Sequence, residues 1–175
     1  MSEAKRESAR TRTVTWHDPR VSARDATRIS GLDYLRAIVE GKIAPPPIAN
    51  LIGYRLAEAE IGRVVFELEP AEYHYNPFAS VHGGIASTVL DSAMTSAILS
   101  TLPIGVACST LEMKVNFVRP IFGDTGLVRC EAKTIHAGSR IATAEGKVVD
   151  AQGKLYAHAV TTCIVFKTRM EDKRD

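Results

Sequence analysis

The chain has 175 residues, enough for one well-buried domain and short for two. Its make-up, 45% hydrophobic and 24% charged with a formal net charge of +2, is ordinary for a globular protein. That balance gives no reason to make nucleic acid or an anionic membrane the main partner. Cys108, Cys130 and Cys163 are odd in number, far apart and without CxxC spacing. Each sits in a strand-like apolar stretch, so buried reduced thiols and a cytoplasmic location are expected. The first residues lack an apolar export core, Glu3 and Glu7 argue against a transit peptide, and no apolar run reaches membrane-spanning length.

Residues 1–12 are polar and charge-mixed and read as mobile, as does the tail from residue 168. Leu32, Leu35, Ile38 and Val39 then recur at helical spacing, ended by Gly41 and the APPP run of residues 44–47. This predicts one short helix in an extension over residues 1–49. A domain follows over 50–167, and a tail over 168–175.

From residue 50 the period changes. Val64, Phe66 and Leu68 alternate with Val65, Glu67 and Glu69, a strand with one wetter face, and Gly62 marks a turn from a preceding strand. A long apolar helix follows within residues 76–99. Beyond it, Leu111, Met113, Val115 and Phe117 alternate strictly with Glu112, Lys114 and Asn116. Three more strands, separated by HAGSR and Gln152-Gly153, complete the chain. Long strands joined by short turns, with one helix to cover them, indicate an α+β fold on an antiparallel sheet.

The helix holds a misfit. Between Tyr73 and Leu111 the only permanently charged residue is Asp91. On a helical wheel Ile85, Ala86, Val89, Leu90, Ala93 and Ala97 share one broad apolar face, and Gly84, Ser87, Thr88, Asp91 and Thr95 share a narrower polar seam. Asp in a helix interior costs about half a kcal/mol in propensity, and burying it ionised without partners costs on the order of several kcal/mol more. No Lys or Arg on the helix offsets that. Hydrogen bonds from Ser87 or Thr95, or contact with water, account for it structurally; a chemical role accounts for it equally well.

His82-Gly83-Gly84 opens the same helix. Backbone N–H groups at a helix start, with the positive end of the helix dipole behind them, suit an oxyanion, and paired glycines let one approach closely. With a carboxylate further along, this points to acyl chemistry: one group stabilises the oxyanion, the other activates water or attacks. The eight steps from Gly83 to Asp91 rise about 12 Å. Both can act on one bond only if a second copy supplies one of them.

The stretch NPFASVHGGIASTVLDSA, followed by STLEMKVNFVRPIFGDTGLVRCEA, resembles the hotdog-fold acyl-CoA thioesterases of the PaaI-like type. The resemblance runs from about residue 50 to 167. It implies a long curved antiparallel sheet wrapped around one central helix, a homodimer or dimer of dimers (a homotetramer), and an active site between subunits. It further implies hydrolysis of an acyl-CoA substrate to free acid and CoA, with no cofactor and no metal. Asp91 matches the catalytic base or nucleophile, and the Gly83 N–H the oxyanion donor, with Gly84 beside it. Asn76 and His82 match polar residues flanking the carbonyl. Thr110 falls where a hydroxyl positions the water, with Ser109 as the adjacent alternative. Asn76 before Pro77 also suits a turn, His82 suits a loop-holding hydrogen bond, and Thr110 suits a strand. Arg140 in HAGSR is a candidate for the CoA phosphates, although a hairpin alone accounts for it. His17, His74, His136 and His158 have no paired metal spacing. Two rival functions are a non-catalytic acyl-CoA sensor and a hotdog acyl-thioester hydratase or dehydratase. The absence of a basic recognition helix weighs against the first, and the HGG–Asp spacing against the second.

Overall fold

The computed structural model describes residues 9–168; the expected mobile start over 1–8 and the tail beyond 168 lie outside them. Three helices precede the sheet where one is anticipated. Helix α1 (Pro19–Ala26) starts because the Asp18 side chain accepts from the Arg20 N–H and Pro19 sits at its first position. Helix α2 (Gly31–Val39) is the anticipated one, capped by Ser30 through the Asp33 N–H. Helix α3 (Pro47–Ile52) is short, and the polyproline run that ends one helix opens this one. Residue 12 is not mobile: the Arg12 guanidinium donates to the carbonyls of Leu51 (2.6 Å) and Asn50 (3.0 Å) at the end of α3, and lies over the Tyr73 ring.

Six strands follow: β1 (Tyr54–Glu60), β2 (Arg63–Leu68), then, after the long helix α4 (Gly83–Leu99), β3 (Val106–Phe117), β4 (Val128–Ala137), β5 (Ile141–Val149) and β6 (Leu155–Lys167). They form one antiparallel sheet in the order β1-β2-β4-β5-β6-β3. Helix α4 lies in the hollow of that sheet, which is the α+β architecture read from the sequence. Leu90, Ala93, Met94, Ala97 and Ile98 have no exposed surface. Each large member of that set stabilises the fold by about 1.5–3 kcal/mol. Gly146 lets β5 meet the helix closely: a Cβ there would come 3.0 Å from Met94 and 3.2 Å from Leu90.

Two strand readings are corrected. The outer face of β2 is not wet: Val65 is fully buried and Glu67 is buried and ion-paired with Arg55. In register Val65 is flanked by Glu58 and Glu131, which pair with Arg63, Arg129 and Lys147, so the aliphatic stems of that network cover it. On β3, Met113 and Val115 pack on the core, but Leu111 and Phe117 are more than half exposed. The pairing of β3 with β6 slips between Thr110 and Glu112, leaving Leu111 as an extra residue. Such a bulge re-aims the side chains around it and interrupts strict alternation.

The loop before α4 is pinned by His74, which is 3% exposed. Its Nδ1 accepts from the Ala71 N–H at 3.1 Å, so its Nε2–H donates to the Ile52 carbonyl at 2.7 Å. Burial, aided by the nearby Arg12 charge, holds its pKa below the ordinary histidine value. The unfolded state therefore binds more protons, and His74 contributes stability that is present above the ordinary value near 6.5 and is lost as the pH falls below it. Urea unfolding midpoints should fall between pH 7 and 5.5, and His74→Gln should flatten that slope. An unchanged slope in the mutant would rule out His74 as its source.

Candidate active site

Helix α4 carries the candidate residues at two separate places. At its start, the Asn76 side chain is spent on its own turn: Oδ1 accepts from the N–H groups of Phe78 (2.8 Å) and Ser80 (3.3 Å), and Nδ2 donates to Ser80 Oγ (3.0 Å). The turn is tight enough to place Ala79 at φ 57°, the one non-glycine residue with positive φ among the described residues. His82 holds the next step. Its N–H donates to the His74 carbonyl, and its Nδ1 accepts from the Gly84 N–H at 2.9 Å, capping α4. Gly84 is thus occupied, whereas the Gly83 N–H has no acceptor among the described residues. Phe117 lies against Gly83 so closely that a Cβ would sit 3.1 Å from its ring. Asn76, Gly83 and Phe117 line a cavity of about 320 Å³ together with Val81, Arg119 and Tyr156. One bare N–H at the positive end of a 17-residue helix, beside an open cavity, has the electrostatics to meet an anionic oxygen.

Eight residues on, half-buried Asp91 faces a different cavity, of about 360 Å³. Thr110 Oγ1 donates to Asp91 Oδ1 at 2.7 Å. That uses the only hydroxyl hydrogen of Thr110, so in its 3.0 Å contact with Thr95 it is Thr95 that donates. The other candidate partner, Ser87, instead donates to the Gly83 carbonyl. Asp91 Oδ2 has no hydrogen-bond partner and no cation pairs with the carboxylate, among the described residues. The bulge at Leu111 comes immediately after Thr110. Ser109 lines the same cavity without touching Asp91. The structure therefore brings Asp91, Thr110 and Ser109 together, and sets Asn76, Gly83 and His82 apart from them, about 12 Å along the helix. Arg140 belongs to neither place. It sits in the β4–β5 hairpin, where its carbonyl accepts from the Val165 N–H and its exposed side chain makes no hydrogen bond or ion pair among the described residues.

Several residues of the second cavity are absent from the sequence reading. Tyr54 Oη and Ser92 Oγ are 2.9 Å apart on its wall, and burial pushes the Tyr54 hydroxyl pKa upward. Tyr34, Ile38 and Pro45 reach it from the N-terminal segment, for which the helical spacing of Leu35 and Ile38 is the only sequence signal. Cys108 also lines it and is only part-buried, against the expectation of three buried thiols. Cys163 is fully buried next to Thr110, whose Oγ1 lies 4.0 Å from its Sγ.

The sequence profile of the Thioesterase superfamily matches residues 78–157. A thioesterase family protein from Silicibacter pomeroyi is 26% identical, covers 76% of this chain and 98% of its own, and superposes with a TM-score of 0.68. Sequence and fold both match the hotdog-fold thioesterase superfamily. A 1,4-dihydroxy-2-naphthoyl-CoA hydrolase from Listeria monocytogenes is 28% identical over 122 residues, 70% of this chain and 98% of that protein. The E. coli PaaI protein from the phenylacetic acid degradation operon shares the fold, at 20% identity and a TM-score of 0.68 over 80% of this chain and 97% of its own. The family match and the curated relative support a thioester hydrolase, as the resemblance implies. The chain's thiols offer a check on the cavity geometry. Native protein should expose one slowly reacting thiol, Cys108, to an aromatic disulfide reagent, because its pKa is pushed up; unfolded protein should expose all three. Loss of the native signal in Cys108→Ser is expected, and rapid labelling of Cys163 would contradict the packing described.

Proposed function

We propose that this thioesterase hydrolyses an acyl-CoA thioester, holding the reacting carbonyl between the Gly83 N–H of one copy and Asp91 of a second. The observation that carries the reading is the Asp91 carboxylate: one oxygen fixed by Thr110, the other facing an apolar cavity with no partner, and no cation to neutralise it, among the described residues. Such a group takes a proton from water, or attacks directly. Water oxygen adds to the carbonyl carbon, the Gly83 N–H stabilises the oxyanion, the C–S bond breaks, and the CoA sulfur leaves with the proton. By the direct route a mixed anhydride on Asp91 forms first, and water then cleaves it. Thr110 is a positioning residue in this scheme, and His82 and Asn76 act by holding the backbone that aims Gly83. For Asn76 the turn hydrogen bonds support that indirect role better than contact with substrate.

Two features support a homodimer. The two half-sites are too far apart on one rigid helix to share a bond. In addition, β3 is a 12-residue edge strand with Leu111 and Phe117 exposed, a surface open to pairing with a second copy. A dimer of dimers builds on that unit. The domain boundaries at 50 and 167 and a cytoplasmic location, in keeping with unpaired cysteines, belong to the same proposal.

Asp91→Asn keeps the hydrogen bond geometry and removes the base, so kcat should fall about a hundredfold or more while the fold is retained. Thr110→Val should lower kcat about tenfold with little change in melting temperature, and Thr110→Ser should restore it. Steady-state hydrolysis across acyl-CoAs from acetyl to palmitoyl is the assay. A folded Asp91→Asn protein that turns over at the parent rate would overturn the mechanism. Binding of acyl-CoA by the parent without turnover would return the sensor reading.

A further inference from the structure

The N-terminal segment is built into the Asp91 cavity, and its attachment is specific. At Gly31 the start of α2 meets the end of α4: the Gly31 N–H donates to the Leu102 carbonyl at 3.1 Å, and a Cβ on Gly31 would lie 1.9 Å from the Leu99 oxygen. No side chain fits there, so α2 crosses α4 in backbone contact. From that crossing α2 presents Tyr34 and Ile38, one turn apart on the same face, to the cavity.

Helix α1 locks this wall. Ser22, a buried hydroxyl, donates to the Ala44 carbonyl at 3.3 Å and therefore accepts from Tyr34 Oη at 2.8 Å. One side chain thus ties Tyr34 on α2 to the residue that precedes Pro45, which also faces the cavity. The floor is the seam of α4, where Asp91, Ser92, Thr95, Ser96 and Leu99 follow one another. Asp91 and Leu99 are eight residues apart, about 12 Å along the axis. The cavity therefore begins at the carboxylate and reaches the place where α2 crosses.

We infer that α2 and the turn at Pro45 form the end wall of the acyl site, and that Ile38 and Tyr34 set the longest acyl chain this enzyme accepts. The inference rests on the reading of Asp91 as the reacting end. A chain leaving the thioester beside Asp91 runs over the small side chains of the seam and stops at α2. The volume agrees with a short stop: about 360 Å³ lies near the lower limit for small-molecule sites, roughly 300 Å³. Short and medium acyl groups fit such a space, and long fatty acyl chains do not. The N-terminal helices are thereby a specificity element of the enzyme.

The test uses Ile38→Ala to open the wall, Ile38→Trp to advance it, and Tyr34→Leu as a second opening from the adjacent turn. Two readouts are taken on the full chain: kcat/KM over saturated acyl-CoAs from acetyl to palmitoyl, and calorimetric Kd for the matching S-alkyl-CoA thioethers, which cannot be hydrolysed. In the parent both should improve with length and then drop sharply. Opening should move the drop to longer chains, raising the ratio of the first rejected chain to acetyl about tenfold or more, and Ile38→Trp should move it to shorter ones. Thioether cut-offs that move in a parent that hydrolyses nothing would uphold the wall and defeat the thioesterase reading. Hydrolysis with the same cut-off in all folded variants would defeat the wall and leave the thioesterase reading standing. Neither binding nor hydrolysis of any chain length would defeat both.

Discussion

Gly83 and Asp91 stand on one straight, buried helix, and the rise of that helix keeps them about 12 Å apart. Everything chemical in the molecule follows from this fixed separation. The helix cannot bend to bring them together, because its apolar faces are gripped by the sheet, with Leu90, Met94 and Ile98 sealed from solvent. The start of the helix and its middle instead open separate cavities, one lined by the bare Gly83 N–H, the other by the Asp91 carboxylate. In the mechanism proposed, these are two unlike half-sites, which become two whole ones only when a second helix runs alongside.

The surroundings of Asp91 show how a buried helix tolerates a carboxylate. A salt bridge would have stabilised the ion at the cost of its basicity. The chain supplies hydroxyls instead, through Thr95 and Thr110, and leaves one oxygen open. Thr110 reaches Asp91 from the strand position just before the bulge, and Leu111, the extra residue, lies exposed on the edge strand. The same irregularity serves the base and the surface where a second copy would pair. At the other end of α4, Gly31 and Ser22 tie two further helices to the cavity, so the segment before the sheet lines the Asp91 cavity as well as completing the fold.

Much of this was legible in the residues. Alternating runs and the turns between them announced the six strands, and the lone Asp91 with HGG ahead of it raised the expectation of a site divided between two copies. What stayed hidden had physical causes. A bulge leaves no trace in an alternating pattern, so Leu111 reads as one more member of the run although it is the extra, exposed residue; Phe117 is exposed at the strand's end, where it lies against Gly83. Val65 read as wet because the ion pairs that cover it bring in Arg129, Glu131 and Lys147 from β4 and β5, far away in sequence. Helices α1 and α3 are too short for a periodic signal, and only Asp18-Pro19 and the polyproline run mark their starts. The choice between Thr110 and Ser109 depends on which way each faces at the bulge, which no local rule decides. The wall made by Tyr34 and Ile38 exists only once α2 has docked on α4.

The claim at the centre, that each site takes Gly83 from one chain and Asp91 from another, is open to direct test by mixing defective chains. Asp91→Asn removes the base; Gly83→Pro removes the N–H at the first helical position, which accepts proline's backbone once the exposed Phe117 ring yields a few tenths of an ångström. Each protein alone should be nearly inactive. Co-expressed in equal amounts and purified together, random pairing makes half the dimers mixed, and each mixed dimer regains one intact site, so about a quarter of the parental activity should return. Mixed dimers, verified by mass spectrometry, that remain as inactive as either parent variant would show that the two groups do not meet across a subunit boundary.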